Sequence, residues 1–156
     1  MVFLQRVFYQ GTDRQIRLQA WRKLKEGAKF IVSPGFDTEI VNYCLEKEIP
    51  IFPGCVTPSE VAQAVKRGLK VVKFFPAEPA GGVAMIKAMA APYNQLRFMP
   101  TGGIGTLNLK DYLGFDKIIC SGGSWMVKAD LIKNGEFEKI CNLTKEAKEL
   151  AKSIRP

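Results

Sequence analysis

The stretch Val71-Val72-Lys73-Phe74-Phe75-Pro76-Ala77-Glu78 places a single lysine among β-branched and aromatic residues. This composition predicts a buried β-strand that ends at the proline. Strand alternation puts Val71, Lys73 and Phe75 on one face and Val72 and Phe74 on the other. Two explanations fit a lysine in this position. Either it protects an edge strand from aggregation, or it is an amine whose pKa is lowered by burial and which suits Schiff-base chemistry.

Apolar runs of the same kind recur along the chain and alternate with helical patterns. Strands are predicted to start near residues 29, 49, 70, 96 and 117. Regular strand–helix alternation with apolar strands predicts a parallel sheet covered by helices. Two architectures fit: an open five-stranded doubly wound sheet, or a (β/α)8 barrel, a fold that usually needs about 250 residues.

The helices are predicted from periodicity and from their end signals. A helix over residues 38–47 buries Ile40, Val41, Cys44 and Leu45. Thr57-Pro58-Ser59-Glu60 predicts a capping box at the start of the next helix. Further helices are predicted after Gly82, over residues 107–113 and from Phe137 to the C-terminus, whereas residues 117–120 are predicted as a strand.

Composition and charge limit the possible partners. The chain has 156 residues and a net charge of +8, and residues 1–25 hold six basic residues and one acidic residue. The basic excess favours anionic partners, including small phosphorylated molecules. No basic–aromatic pattern or zinc-binding spacing indicates nucleic acid. No apolar run is long enough to predict a membrane span.

The titratable residues exclude several kinds of catalytic site. Histidine is absent and the four cysteines, Cys44, Cys55, Cys120 and Cys141, lack metal-binding spacing. Histidine triads and histidine metal sites are therefore excluded, and neither a metal nor a cofactor is predicted. The cysteines indicate reduced thiols and a cytoplasmic location. Gln5 and Arg6 interrupt the apolar N-terminus, so a secretory signal is not predicted, although the arginine-rich start also fits a transit peptide.

Turns rich in glycine and proline follow every predicted strand. In parallel α/β folds, ligands bind at this edge of the sheet. Two successive turns, Thr101-Gly102-Gly103 and Ser121-Gly122-Gly123-Ser124, leave backbone N–H groups and hydroxyls for an anion. Glycines also serve simply to make tight turns, but the pair of loops beside a mid-strand lysine favours a phosphate site.

These motifs together resemble one family of enzymes. Lys73-Phe74-Phe75-Pro76-Ala77-Glu78 is similar to the Schiff-base strand of 2-keto-3-deoxy-6-phosphogluconate aldolase. Phe98-Met99-Pro100-Thr101-Gly102-Gly103 and Gly122-Gly123-Ser124-Trp125 resemble its phosphate loops, and Phe30-Ile31-Val32-Ser33-Pro34-Gly35 and Pro53-Gly54 resemble its fourth and fifth strands. The resemblance implies a metal-independent class I aldolase, usually a homotrimeric barrel. Such enzymes cleave the phosphorylated keto acid, or 4-hydroxy-2-oxoglutarate, to pyruvate and an aldehyde.

The resemblance also implies a role for individual residues. Lys73 is expected to form the imine with pyruvate. The residues expected to contact substrate are Thr12, Pro34, Phe75 and Thr101. Those expected to bind phosphate are Gly102, Gly103, Gly122, Gly123 and Ser124.

The N-terminus departs from the family pattern. Family members begin with three further strands, and the second carries a glutamate that transfers protons. Residues 1–25 contain no glutamate. We therefore expect an atypical strand and helix over residues 1–26, joined to an incomplete barrel of five or six strands over residues 27–156. A barrel without its first strands leaves apolar edges that invite association.

Three functional hypotheses follow. The first is an aldolase that is impaired by the missing glutamate. The second is an inactive remnant that serves as a phosphate-binding or oligomerising scaffold. The third is another phosphate-binding barrel enzyme, such as a thiamine-phosphate or tryptophan-pathway synthase, which gives no reason for Lys73. Glu78 is interpreted either as an acid–base partner of Lys73 or as a solvated carboxylate, and Tyr112 as a packing residue.

Overall fold

The computed structural model describes residues 2–3 and 29–155. Its strands are β1 (Val2–Phe3), β2 (Ile31–Val32), β3 (Ile51–Phe52), β4 (Val71–Phe74), β5 (Arg97–Pro100) and β6 (Ser121–Gly122). Its helices are α1 (Thr38–Glu46), α2 (Pro58–Lys66), α3 (Gly82–Ala90), α4 (Leu109–Leu113), α5 (Ala129–Lys133) and α6 (Phe137–Ile154). The remainder of the predicted N-terminal strand and helix, with Thr12, lies outside the described residues.

The strands are parallel, as predicted; β2 to β6 lie side by side in chain order, and β1 lies beside β6. Ladders join β2 to β3, β4 to β5 and β1 to β6. Bridges between Gly54 and Lys73 and between Thr101 and Gly122 connect these pairs, which gives the order β2-β3-β4-β5-β6-β1. This succession lacks the reversal of strand order that defines a doubly wound sheet. The described residues show no closed sheet, so the fold is an α/β arrangement of parallel strands and helices.

Local sequence signals set the helix starts. At α2, the Thr57 hydroxyl accepts from the Glu60 backbone N–H at 3.3 Å, and the Glu60 carboxylate accepts from the Thr57 N–H at 2.8 Å. Pro58 occupies the first helical position, where a missing N–H has no cost. The predicted capping box is confirmed. At α1, the Asp37 carboxylate accepts from the Ile40 N–H at 3.0 Å.

The sheet separates two apolar layers. The main core lies between strands and helices and contains Val72 and Phe74. A second cluster, formed by Val32, Met99 and Cys120 with Val71 against it, occupies the other side of the strands. Val71 and Val72 therefore lie on opposite sides of β4, as strand alternation predicts.

Four features differ from the sequence predictions. The predicted strand over residues 117–120 is wrong in its bounds, because Ile118 makes only an isolated bridge to Phe98 and the regular strand β6 begins at Ser121. Leu45 was predicted to be buried but is 38% exposed. Leu107 precedes its helix and is almost fully exposed. The short helix α5 was not predicted, because five residues carry too little periodicity.

The cysteines were predicted to be reduced thiols. The four cysteines form no disulfide. Burial raises the pKa of the Cys44 thiol to about 11; burial and then the nearby Glu60 carboxylate raise the pKa of the Cys55 thiol to about 12.

In the part of the chain that the structure describes, no helix has the length and apolarity to cross a membrane.

Candidate active site

Lys73 lies in an inner strand of the sheet. Its N–H donates to the Pro53 carbonyl at 2.9 Å, and its carbonyl accepts from the Cys55 N–H at 2.8 Å. On the other side of β4, Lys73 is in register with Met99. The residue is only 1% exposed, so the explanation that it protects an edge strand is wrong.

The surroundings of Lys73 favour its neutral amine. Burial lowers the pKa of Lys73 from 10.5 to about 8, because an ammonium loses its hydration in a low-dielectric environment. The Phe75 ring centroid lies 4.3 Å from Nζ, so a ring face partly offsets the loss of water around the charged form. A neutral amine is the nucleophilic form, and this site makes it accessible near neutral pH.

The two glycine loops meet at the edge of the sheet beyond Lys73. The Thr101 N–H donates to the Phe74 carbonyl at 3.0 Å, and Thr101 bridges to Gly122. Together the loops enclose a pocket of about 250 Å³. Its lining consists of Phe75, Thr101, Gly102, Gly103, Ile104, Gly122, Gly123 and Ser124. Seven of the residues predicted to bind phosphate or substrate are thus brought together, and Ile104 is the one lining residue that was not predicted.

The backbone of the first loop has positive φ angles at its two glycines. Gly102 and Gly103 have φ angles of +101° and +79°, a conformation that glycine adopts without steric cost. Within the described residues, the Gly103 N–H donates to no other backbone carbonyl. Consecutive residues of this kind form a concave group of N–H donors that suits phosphate oxygens.

Polar and aromatic side chains complete the pocket. The Thr101 hydroxyl is buried and makes no hydrogen bond within the described residues. Trp125 packs directly on the second loop, since a Cβ at Gly123 would lie 1.7 Å from its Cζ3 atom. The lining contains no charged side chain, so N–H groups and hydroxyls are the donors. Among the described residues, no three potential ligand side chains cluster as a metal site requires.

Two predicted site residues are not part of this pocket. Pro34 lies at the same sheet edge, where its carbonyl oxygen would be 1.9 Å from a Cβ at Gly54, but it does not line the pocket between the glycine loops. Thr12 lies outside the described residues. The close approach of Pro34 requires a glycine at position 54, which accounts for the Pro53-Gly54 turn.

Glu78, Tyr112 and Asn108 make hydrogen bonds near the pocket that the sequence does not predict. The Tyr112 hydroxyl donates to the Glu78 carboxylate, so Glu78 is bound by a neighbour and is not merely solvated. Asn108 donates to the Gly103 carbonyl at 3.1 Å and accepts from the Gly105 N–H at 2.8 Å. Asn108 immediately precedes α4, a position where asparagine commonly caps, and this was the one available signal.

Comparison with known proteins agrees with this site. The sequence model of the KDPG and KHG aldolase family matches residues 14–143. The chain is 43% identical over 132 residues to a 2-dehydro-3-deoxy-phosphogluconate aldolase of Treponema pallidum, covering 85% of this chain and 63% of the relative. It is 45% identical over 126 residues to the KHG/KDPG aldolase of Escherichia coli K12, covering 81% and 59%. The chain thus spans about three fifths of the length of these relatives.

Solved structures give the same result. A KDPG aldolase from Legionella pneumophila, with pyruvate captured as a covalent carbinolamine, superposes with a TM-score of 0.75 at 36% identity, covering 87% of this chain and 63% of that one. A Zymomonas mobilis 2-keto-3-deoxy-6-phosphogluconate aldolase with 3-phosphoglycerate has a TM-score of 0.69 at 36% identity, covering 74% and 54%. The buried lysine, the paired glycine loops and these similarities lead to one conclusion: the chain belongs to the KDPG and KHG aldolase family.

Proposed function

We propose that this chain carries the nucleophile and phosphate site of a class I aldolase that cleaves 2-keto-3-deoxy-6-phosphogluconate, or 4-hydroxy-2-oxoglutarate, to pyruvate and an aldehyde. The observation that carries the proposal is Lys73: buried, on an inner strand, with a pKa lowered to about 8 by that burial. The carbinolamine in the Legionella relative is consistent with the same chemistry.

The reaction follows from an amine beside a keto group. The neutral Nζ adds to the substrate C2 carbonyl to give a carbinolamine, and uptake of one proton with loss of water gives a protonated imine. A base removes the proton of the C4 hydroxyl, the C3–C4 bond breaks, and its electrons enter the imine to form an enamine while the aldehyde leaves. A proton then adds to C3, and water hydrolyses the imine to release pyruvate and restore Lys73. The Phe75 ring shields the imine from solvent.

The glycine loops position the phosphorylated end of the substrate. Gly102, Gly103, Gly122 and Gly123 provide backbone donors, and the Ser124 hydroxyl, which lines the pocket, adds another. We place the Thr101 hydroxyl near the reacting C4 hydroxyl, because it is buried, unpaired within the described residues and part of the same lining. Pro34 and Thr12 are proposed to contact the pyruvate end.

We expect proton transfer to limit the rate of the reaction in this chain. Residues 1–25 contain no glutamate to match the one that family members carry. Loss of a positioned acid–base group costs about 10²–10⁴-fold in rate. We therefore propose that this chain by itself forms the imine but turns over slowly.

Reductive trapping tests the proposal. Pyruvate with borohydride should add one pyruvate-derived mass, and peptide mapping should place it on Lys73. The Lys73→Met variant should gain no adduct, whereas Lys70→Met, which replaces an exposed lysine three residues away, should be trapped like the unaltered chain. A folded, unaltered chain without an adduct would refute the Schiff-base assignment.

We further propose the arrangement of the whole molecule. Residues 27–156 form an incomplete barrel, preceded by an atypical segment over residues 1–26. The ladder supports this proposal, because the five strands β2 to β6 within residues 27–156 lie side by side in chain order, as in a barrel wall, and β1 of the first segment pairs with β6. We also propose that the chain forms a homo-oligomer, a trimer by analogy with the family, and works in the cytoplasm.

A second candidate function is an inactive scaffold that binds phosphate or oligomerises. The absence of glutamate from residues 1–25 favours it. Turnover of the phosphorylated keto acid separates the two candidates, because the scaffold would bind phosphate and release no pyruvate.

A further inference from the structure

The first glycine loop has an unusual distribution of hydrogen bonds. Three successive carbonyls accept hydrogen bonds from other segments: the Thr101 carbonyl accepts from the Ala77 N–H at 2.8 Å and the Gly102 carbonyl from the Glu78 N–H at 3.1 Å. The Gly103 carbonyl accepts from the Asn108 amide at 3.1 Å. Since a peptide unit is planar, fixing a carbonyl also fixes the direction of the N–H on the same peptide.

The Glu78 side chain holds the same loop from the other side. A Cβ at Gly103 would lie 2.7 Å from Cβ and Cγ of Glu78, so the stem of the glutamate is in contact with the Gly103 backbone. The Glu78 carboxylate is held in turn by the Tyr112 hydroxyl, and Tyr112 is 1% exposed. The loop is thus confined between Glu78 and the helix that follows it.

Asn108 and Tyr112 both belong to that following segment. Asn108 immediately precedes α4 and binds both Gly103 and Gly105, and Tyr112 lies within α4. The loop is therefore anchored directly by residues 77–78, which follow β4, and by Asn108, whereas Tyr112 of α4 acts on it through Glu78. None of these three side chains lines the pocket itself.

We propose that Asn108, Glu78 and Tyr112 are positioning residues that hold the loop of residues 101–105 with its N–H groups facing the pocket, and thereby set its affinity for phosphate. The inference rests on the proposed function, because it explains how the phosphate site of that aldolase is built. The role of Glu78 here is mechanical: its acceptor oxygen and its stem matter, and its charge does not.

Inorganic phosphate is the probe, and amide NMR shifts of the four pocket glycines measure its dissociation constant. The Tyr112→Phe variant loses one hydrogen bond and the Asn108→Ala variant loses two, and each should weaken phosphate binding about tenfold. Tyr93→Phe is the matched control, because it removes a tyrosine hydrogen bond to the Pro58 carbonyl away from the pocket, and it should bind like the unaltered chain.

Variants of Glu78 distinguish the effect of its acceptor oxygen and stem from the effect of its negative charge. Because Glu78 is exposed, these variants should fold. Glu78→Gln keeps an acceptor for Tyr112 and should bind phosphate at least as well as the unaltered chain, whereas Glu78→Ala should weaken binding like Tyr112→Phe. The inference is overturned if Glu78→Gln and Glu78→Ala behave alike, if Tyr112→Phe and Asn108→Ala both stay within twofold of the unaltered chain, or if that chain binds no phosphate.

Pyruvate trapping in the same samples separates this inference from the proposed function. Pyruvate carries no phosphate, so trapping on Lys73 should stay within twofold in all variants. If the unaltered chain traps no pyruvate, the aldolase proposal fails, while the phosphate measurements still decide the role of the three positioning residues.

Discussion

The burial of Lys73 predicts a titration in a defined direction. With a pKa of about 8, about a quarter of the side chain is neutral at pH 7.5, compared with about a thousandth at the ordinary value of 10.5. Imine formation needs the neutral amine, so adduct formation should rise through pH 8. NMR titration of the lysine Cε signals, assigned with Lys73→Arg, should show one midpoint near 8; a Lys73 midpoint above 10 would contradict the structure.

Gly103 offers a second test at the scale of one residue. Its φ of +79° and the contact with Glu78 leave no room for a methyl group, and an L-residue in this region costs roughly 1–2 kcal/mol. Gly103→Ala should weaken phosphate binding at least tenfold by NMR titration.

Gly105 in the same loop provides the control for that test. A Cβ at Gly105 would meet nothing within 4 Å, and its φ lies outside the left-handed region. Gly105→Ala should therefore leave the dissociation constant unchanged. Equal effects of the two alanines would mean that loop geometry does not govern phosphate binding.

At the scale of elements, Arg155 secures the end of α6. Its guanidinium donates to the carbonyls of Leu113, Phe115 and Ile118 at 2.6, 3.0 and 2.7 Å. Arg155→Ala leaves these oxygens without their donor and should lower the free energy of unfolding by about 1–3 kcal/mol in urea denaturation. Arg155→Lys should recover only part, because an ammonium lacks the planar fork.

The control for Arg155 lies one turn earlier on the same helix. Lys152 pairs with Glu149 at 3.2 Å, and both side chains are mostly exposed. Exposed pairs contribute little, so Lys152→Ala should shift the unfolding free energy by less than about 0.5 kcal/mol. An equal loss in the two variants would show that the arginine contacts are not special.

The elements that the sequence predicted well are those set by neighbouring residues. The capping box at Thr57 and the alternation of Val71, Val72 and Lys73 follow from short-range spacing. By contrast, the hydrogen bond from Arg155 to the Ile118 carbonyl joins residues 37 positions apart, and the Tyr112–Glu78 bond joins residues 34 positions apart. Such contacts exist only once the chain has folded, so no local pattern carries them. The roles of Thr12 and Pro34 remain predictions.

At the scale of the whole molecule, the strand ladder has two ends. Among the described residues, β2 and β1 each pair on one side only, and unpaired strand edges favour association. Sedimentation equilibrium should therefore find an oligomer of at least two 17.4 kDa chains, with three copies expected from the family. A single 17.4 kDa species at all concentrations would contradict this prediction.

Because Trp125 packs on Gly123, its fluorescence should report on ligand binding in the pocket. Indole emission responds to nearby charge and to changes in solvent contact, and this ring lies against one of the two glycine loops. The chain has one other tryptophan, Trp21, so the Trp21→Phe variant has a single emitter. Its fluorescence should then follow ligand entry in real time without any added dye, which would allow stopped-flow measurement of how fast the phosphorylated end of a substrate docks.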